Sequence, residues 1–338
     1  MHRVVVTGMG VVSPIGNDTK SFKNGLVNGK SGISPITQFD TTDYNVKIAG
    51  ECSIDLDSFF DSKELKRMDR FTALSLIAAE QAVNESNITS NLNQNNRIGV
   101  IFGSGIGGIS TFETQHSNLL RSPRRVSPFF IPSMISDIAA GHISIKYGFK
   151  GPNFSIVSAC ATANHSIGES FKKIKYGDAS AIITGGSDAT ITPMAIAGFS
   201  NMKALSKNNK EGASRPFDKN RDGFVMGEGS GVLVLESLEH ALKRDTEIIA
   251  EIVGYGSSSD AYHLTSPSTN GDGARGAMNE AISEAKITTR QIDYINAHGT
   301  STPYNDKIET KAIKDLFGDD ANNLSISSTK SMTGHLLG

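Results

Sequence analysis

Cysteine is scarce in this chain of 338 residues, and tryptophan is missing altogether. Two cysteines, Cys52 and Cys160, are too few for a disulfide framework, so we expect a reducing, cytoplasmic location. The formal net charge is only -2, which provides no basic field for nucleic acid or an anionic membrane. No apolar run approaches the roughly 20 residues of a membrane span, and the N-terminal apolar run is too short for a signal peptide. These absences predict a soluble, intracellular protein.

Short β-branched runs alternate with helical patterns along the chain. Strand candidates, mostly followed by Gly or Ser, lie at 4–6, 98–102, 154–157, 181–184, 232–235, 248–253, 292–295 and 324–328. Helical spacing covers about 71–85, 160–176, 273–285 and 306–317. Alternating strands and helices are typical of crossover units and buried parallel sheets, so the predicted fold class is α/β. The pattern restarts near residue 250, which indicates two related halves, 1-250 and 251-338.

Two segments have unusual patterns. Residues 207–222 are polar and contain Gly, Pro and Asn, so we expect one long loop there. The last four residues, 335–338, have the pattern of an apolar helix that opens and does not continue. An uncovered apolar turn is unusual at a chain end, so we expect the second half to be truncated.

A candidate nucleophile lies where a strand, a turn of small residues and a helix follow one another at 155–166. Cys160 falls at the turn, which would place its sulfur at the helix N-terminus, where unpaired N–H groups favour a thiolate. A lone cysteine is more often a buried structural residue, and the placement by itself leaves both interpretations open. Cys52 has no such setting and is interpreted as structural.

Two histidines occupy matched positions after strands. His298 follows the strand at 292–295 and His335 follows the one at 324–328, each beside Gly and hydroxyl residues. Open α/β sheets build their sites at such strand ends, so both imidazoles could converge on one oxygen. A metal site is the competing hypothesis, but no CxxC or HxxxH spacing is present, so we expect no metal.

The sequences around Cys160, His298 and His335 resemble those of a known family, and the resemblance covers nearly the whole chain. The sequences SACATA around Cys160, NAHGTSTP around His298 and KSMTGHLLG around His335 match the Cys-His-His pattern of condensing enzymes with a thiolase fold. VVVTGMGVVSPIG, GSGIGG, SPFFIPSMI, RPFDKNRDGFVMGEG and DAYHLTSP extend the match. DAYHLTSP and Ile106 in the glycine loop resemble the elongating, type II β-ketoacyl-acyl carrier protein synthases more than type I.

The resemblance implies a thiolase-like fold of two related α/β halves in α-β-α-β-α layers, and an acyltransferase of fatty acid elongation. Cys160 would hold the acyl chain as a thioester, and His298 and His335 would donate from neutral Nε2–H to the enolate of decarboxylating malonyl-carrier protein. Lys330 would orient the pair, with Asp306 or Glu309 as counterion. The other implied contacts are Thr300 and Thr302 for the pantetheine arm and Ile106 and Phe199 for the acyl pocket. The resemblance implies no cofactor.

The implied partners are acyl carrier protein, loaded with an acyl or malonyl group, and a second copy of the chain in a homodimer. The carrier is acidic in this family, so a basic patch would steer it. Its candidates are Lys63, Lys66, Arg67, Arg124, Arg125 and Lys203.

Three other functions on the same fold stay open. A polyketide ketosynthase would usually be embedded in a longer chain. A degradative thiolase would need a second catalytic cysteine, and Cys52 is poorly placed for that role. A non-catalytic chain-length partner would lack the nucleophile, whereas Cys160 is present.

Overall fold

The structure, a computed structural model, describes residues 1–90 and 92–338. The strands in these ranges are β1 (Val4–Val12), β2 (Ile33–Pro35), β3 (Ile48–Gly50), β4 (Ile98–Gly103), β5 (Asn153–Phe154), β6 (Ala181–Asp188), β7 (Gly229–Ser237), β8 (Ala250–Ile252), β9 (Tyr294–Asn296) and β10 (Ser325–Ser327). The α-helices are α1 (Thr19–Val27), α2 (Ser62–Leu65), α3 (Arg70–Ser86), α4 (Ile109–Arg121), α5 (Phe130–Met134), α6 (Ile138–Tyr147), α7 (Thr162–Lys175), α8 (Pro193–Asn201), α9 (Leu238–Lys243), α10 (Asp272–Ala285), α11 (Pro303–Phe317) and α12 (Lys330–Thr333).

The largest sheet has six strands in the order β5-β4-β6-β7-β1-β8. β5, β4 and β6 are parallel, as predicted from the alternation of strands and helices. β7, β1 and β8 add antiparallel pairs, so the prediction of a parallel sheet was wrong for this side. The chain leaves β6 at Asp188 and enters β7 at Gly229 directly opposite, after the long excursion, so β7 must run back along β6.

Helices cover both faces of this sheet. Val100 and Phe102 point to the face that packs against α3 and α6, whereas Ile101 between them belongs to the cluster under α7. This alternation follows from the two-residue period of a strand. α3 lies directly on β1, because a Cβ added at Gly10 would come 1.9 Å from the Ala78 carbonyl oxygen. The sheet therefore holds α3 and α7 at fixed positions.

The second half contains the same kind of contact, in which a glycine lies directly against a helix. A Cβ added at Gly256 would come 1.9 Å from the carbonyl oxygen of Ala277, in α10. β9 and β10 form a separate parallel pair, and α11 lies between them in the chain. The repeated glycine contact is consistent with two related halves, and their division between residues 250 and 251 stays a prediction.

The predicted helices are present with shifts of a few residues at their ends, and residues 207–222 form the expected loop without helix or strand. The prediction of a helix opening at 335–338 was wrong. α12 ends at Thr333, and Gly334 adopts a φ of 71°, which a right-handed helix cannot continue. His335 instead forms a bridge with Met226, and Leu337 is buried in the cluster around Met226.

Candidate active site

Cys160 lies in a short 3-10 turn, Ala159–Ala161, immediately before α7. Ala159 has a φ of 49°, the left-handed region that a residue with a Cβ seldom occupies. The backbone N–H of Ser158 donates to Thr162 Oγ1 at 2.9 Å, which closes the turn over the start of the helix. Small residues lie on both sides of Cys160, which is exposed as a residue. The predicted turn and helix are present, but the predicted strand is not, because β5 ends at Phe154 and residues 155–158 form neither strand nor helix.

His335 is in contact with the sulfur, with Nε2 lying 3.1 Å from Cys160 Sγ. Its Nδ1 accepts the backbone N–H of Leu337 at 3.1 Å, so in a neutral ring the proton is on Nε2. The backbone of His335 is also fixed, because its N–H donates to the Val225 carbonyl at 2.7 Å. His335 therefore presents an N–H donor to the sulfur.

His298 lies beside His335, with ring centroids 5.5 Å apart and an interplanar angle of 85°. Its position depends on Glu309 of α11, whose carboxylate accepts the backbone N–H of His298 at 2.7 Å and that of Gly299 at 2.8 Å. Gly299 has a φ of 42°, and a Cβ there would come 2.5 Å from the Ser328 side chain. The loop after β9 therefore requires glycine next to the histidine.

The surroundings keep both imidazoles neutral. Burial, and after it the positive charge of Lys330, lowers the pKa of His298 from 6.5 to about 4. The same two causes, with His298 as a third, lower the pKa of His335 well below its ordinary value. A neutral ring donates from one nitrogen only, so each histidine can act as a hydrogen-bond donor without carrying charge.

The thiol of Cys160 is subject to opposing effects. Burial raises its pKa above 9.0, Lys330 and a backbone N–H lower it, and Asp188 raises it further. The net direction is upward, so the expectation that the helix N-terminus makes the free thiol acidic does not agree with this site. Cys160 as a whole residue is nevertheless exposed, so the desolvation of its thiol is partial.

Lys330 is a half-buried ammonium that acts on these groups. Burial lowers its pKa, while Glu309, Cys160 and Asp306 act in the opposite direction, in that order of size. Asp306 is 1% exposed and accepts the backbone N–H of Phe217 at 2.7 Å. Both proposed counterions therefore act on Lys330, with Glu309 the stronger.

A metal could find ligand atoms here, since those of Cys160, His298 and His335 all lie within 4.8 Å of one another. Segments far apart in the chain thus bring three possible ligands together, although their sequence spacing is not that of a metal site. Lys330 nevertheless lowers the pKa of both histidines, which shows that its field disfavours added positive charge at the rings. The same field opposes a divalent cation.

Comparison with known proteins decides the family. The β-ketoacyl synthase N-terminal domain matches residues 1–241, and the β-ketoacyl synthase C-terminal domain matches residues 249–338. The chain belongs to the β-ketoacyl synthase family. The predicted resemblance and the thiolase-like α/β fold are thereby confirmed.

Individual relatives agree with this assignment. The chain is 54% identical over 339 residues to 3-oxoacyl-[acyl-carrier-protein] synthase 2 of Staphylococcus aureus, covering 99% of this chain and 82% of the relative. It is 49% identical over 340 residues to the Synechocystis protein of the same name, again covering 99% and 82%.

Solved structures of ketosynthases have the same fold. A ketosynthase from Burkholderia phymatum superposes with a TM-score of 0.91 at 32% identity, over 100% of this chain and 83% of the other. A ketosynthase of a type II polyketide system, in complex with its acyl-carrier protein, superposes with a TM-score of 0.91 at 33% identity. The superposition covers 99% of this chain and 82% of the other. In residues 1–90 and 92–338, no helix combines the length and apolar character needed to cross a membrane.

Two cavities meet this β-ketoacyl synthase site. Cys160, Lys330 and His335 line the first, of about 270 Å³, together with Asp188. His298 lines the second, of about 840 Å³, which lies between the start of α7 and residues 255–264. Cys160 and His335 therefore face the first cavity, and His298 faces the second.

The predicted substrate-binding residues divide into two groups. Thr300 and Thr302 lie on the loop after His298, with their hydroxyl oxygens 2.9 Å apart. Ile106 and Phe199 line neither of these cavities. Phe199 packs edge-on against Phe224 at 5.6 Å, and Phe224 in turn packs against the His335 ring at 5.3 Å. An acyl-pocket role for Ile106 and Phe199 stays a prediction.

All six predicted carrier-binding side chains are exposed. Lys63, Lys66 and Arg67 lie in and after α2, and the Arg67 guanidinium covers the Phe129 ring at 4.8 Å. Arg124 and Arg125 follow α4, and Lys203 follows α8. Their role in binding a carrier stays a prediction.

Sequence reasoning missed Asp188 as a site residue. It is the last residue of the buried strand β6, a strand-end position that could have signalled it. Its carboxylate accepts from Ser104 Oγ at 2.8 Å and from the backbone of Gly338 at 2.7 Å. Burial raises the pKa of Asp188 to about 6. Asp188 thus ties the glycine loop at 103–108 to the segment that contains His335.

Proposed function

We propose that this β-ketoacyl synthase is an elongating 3-oxoacyl-[acyl-carrier-protein] synthase, which condenses an acyl group on Cys160 with malonyl-acyl carrier protein. The observation that supports this most is the contact of 3.1 Å between Cys160 Sγ and His335 Nε2. A nucleophile and two neutral N–H donors at one point suit a reaction that passes through a thioester and an enolate.

In the first step, the Cys160 sulfur attacks the thioester carbonyl of the acyl carrier. The bond to the carrier's sulfur breaks, and the departing thiolate takes up the proton that the cysteine loses. The donor from His335 Nε2 and the charge of Lys330 stabilise the sulfur as it becomes anionic. This assistance matters because burial makes the resting thiol a weak acid.

In the second step, malonyl carrier loses carbon dioxide and leaves an enolate. The oxygen of that enolate would accept hydrogen bonds from Nε2–H of His298 and His335. Both rings are neutral, the His335 ring is held by the Leu337 N–H, and the backbone of His298 is held by Glu309, so the donors need little rearrangement as the charge grows. The enolate carbon then attacks the acyl thioester, which releases the Cys160 thiolate and the 3-oxoacyl carrier.

We assign supporting roles to residues around this centre. Burial keeps the imidazoles neutral, and the charge of Lys330 acts in the same direction by lowering the pKa of both rings. Thr300 and Thr302 would bond the pantetheine arm, since their hydroxyl groups lie on the loop beside His298. Ile106 and Phe199 would limit the length of the acyl chain.

The carrier would dock on the basic residues of the α2 region. Lys63, Lys66 and Arg67 are exposed together there, and an acidic carrier would be attracted to them. We also propose a homodimer in the cytoplasm, with the chain divided into halves at residues 250 and 251.

The test is a reconstituted condensation with acyl carrier protein, malonyl carrier protein and the purified chain, with 3-oxoacyl carrier detected by mass spectrometry. Cys160→Ala is the negative control, and Cys52→Ala is the matched cysteine control, since Cys52 is buried away from the site. The proposal would be rejected if the parental chain formed acyl-Cys160 and released no carbon dioxide from malonyl carrier.

A polyketide ketosynthase is the second candidate, because the superposed solved structures include ketosynthases of polyketide systems. The identity to that ketosynthase is 33%, against 54% to the 3-oxoacyl synthase 2 of Staphylococcus aureus. The higher identity favours fatty acid elongation. The same assay separates the two, since repeated extension without reduction of the 3-oxo group would indicate a polyketide enzyme.

A further inference from the structure

One histidine outside the reacting group contacts the nucleophile turn. His165 lies on α7, and its Nδ1 is 2.7 Å from the Ser158 hydroxyl oxygen. Its other ring nitrogen, Nε2, is 3.3 Å from the Ser257 hydroxyl oxygen, in the second half of the chain. The ring therefore bridges the residue before the turn of Cys160 and the segment that lines the cavity beside His298.

Ser158 is bonded through three of its atoms. Its N–H donates to Thr162 Oγ1, its carbonyl accepts from Ala161 N–H, and its hydroxyl meets His165. The residue that follows is Ala159, whose φ of 49° is unfavourable for a side chain larger than hydrogen. Such a backbone persists only where its neighbours over-determine it.

The other end of the bridge is equally fixed. A Cβ at Gly168 would come 2.1 Å from the Tyr255 ring, so this tyrosine lies directly on α7. The Ser257 N–H donates to Glu280 Oε2 at 2.9 Å, and the Tyr255 N–H donates to Glu284 Oε2 at 2.8 Å. Ser257 is thereby tied to α10, and the His165 ring links two rigid elements.

We propose that His165 is a positioning residue, which holds the strained turn and so keeps the Cys160 sulfur at the start of α7, against His335. The ring touches neither the sulfur nor the other histidines in the described contacts, so its effect passes through Ser158. The inference rests on the proposed function only for the identity of the reaction, because the position of the thiol can be measured without substrate.

The experiment measures the rate at which iodoacetamide alkylates Cys160, as a function of pH, in the full chain. His165→Asn places an amide near the position of Nδ1 and can retain the contact with Ser158. His165→Gln places its amide near Nε2 and can retain only the contact with Ser257. His165→Ala removes both, and His116→Ala, an exposed ring stacked on Phe112, is the control.

We expect alkylation at neutral pH to fall about fivefold in His165→Ala and in His165→Gln, the effect of one lost hydrogen bond. Its pH midpoint should rise in both, because the sulfur moves away from the His335 Nε2–H donor and from Lys330, whose charge lowers the pKa of the thiol. Lys330, Asp188, His298 and His335, the charged or titratable groups that face the sulfur, are the same in every variant. His165→Asn and His116→Ala should keep the parental rate and midpoint.

Ser158→Ala should reproduce the effect of His165→Ala, and the double variant should add nothing to it. Melting temperature is measured in parallel, so that general destabilisation is recognised. Parental alkylation in His165→Ala or His165→Gln would overturn the inference, and so would a His165→Asn variant as slow as His165→Ala. If the alkylation results are as expected but the condensation assay fails, the proposed reaction is rejected and the positioning role of His165 stands.

Discussion

The nucleophile and the histidines are held in place by different kinds of structure. Cys160 follows β5, a two-residue exposed strand at the edge of a large sheet whose strands β4 and β6 are buried along their whole length. The histidines follow β9 and β10, of three residues each, and the side chains of β10 are all exposed. The apolar core thus determines where α7 begins, while hydrogen bonds of the loops to Glu309, Val225 and Leu337 determine where the imidazoles lie.

The two histidines also differ from each other. His298 depends on α11 of the second half, through Glu309. His335 comes later in the chain but bonds to Val225, and Gly227 N–H donates to the His335 carbonyl at 2.8 Å. Val225 and Gly227 precede β7 of the first half. The lesson is that position along the chain does not decide to which structural unit a catalytic group is attached.

The largest effect is expected at the nucleophile. Cys160→Ser should abolish condensation, because a serine hydroxyl is a far weaker nucleophile than a cysteine sulfur under the same conditions. It should also stop labelling by iodoacetamide, since burial raises the pKa of Cys52 well above its ordinary value and keeps that thiol unreactive. Labelling localised by mass spectrometry to Cys52 in this variant would contradict the assignment.

The histidines should separate the two chemical steps. His298→Ala or His335→Ala should lower carbon dioxide release from malonyl carrier by roughly two to three orders of magnitude for each lost donor. Some acyl loading on Cys160 should remain in both variants. The loss of loading should be greater in His335→Ala, because the His335 ring contacts the sulfur. A parental decarboxylation rate in either variant would exclude that histidine from binding the enolate.

Because both imidazoles are neutral, we expect decarboxylation to continue over a broad range of acidic pH. With the pKa of His298 lowered to about 4, decarboxylation should show no loss from histidine protonation between neutral pH and about 5. Stability should decrease as pH falls from 6.5 towards about 4, because the unfolded imidazole binds a proton there and the folded one does not.

Lys330→Met sharpens this prediction. Removal of its charge should raise the pKa of both histidines. The pH below which decarboxylation is lost should therefore be higher in the variant. Histidine proton shifts in nuclear magnetic resonance titrations measure this directly. Unchanged titration in the variant would mean that Lys330 does not set the charge state of the rings.

The smallest effect is expected from a substitution at Ile106, which should alter the chain-length specificity rather than the rate. Ile106→Phe should shift products towards shorter acyl chains, because a larger ring would occupy the space of the distal methylenes. Ile106 is 38% exposed and belongs to the glycine loop that Asp188 holds. Graded acyl carriers at saturation provide the measurement, and an unchanged chain-length profile would place the pocket elsewhere.

The sequence alone determined the class of fold and predicted the candidate reacting residues. Apolar strands that alternate with amphipathic helices can bury their faces only in α/β layers, which is why the bounds of α3, α10 and α11 were close to prediction. Small residues around Cys160, and glycines next to the histidines, are local requirements that appear in the letters themselves.

Only the tertiary structure decided how these residues meet. The antiparallel side of the sheet depends on where the long excursion returns to β6, a distance that no local pattern encodes. The extended course of residues 335–338 depends on pairing with Met226, which overrides their apolar helical pattern. The neutral imidazoles, the raised pKa of Cys160 and the bridge made by His165 all arise from burial and contact between distant segments. Electrostatics and hydrogen bonds act through space, so the order of residues in a chain does not specify them.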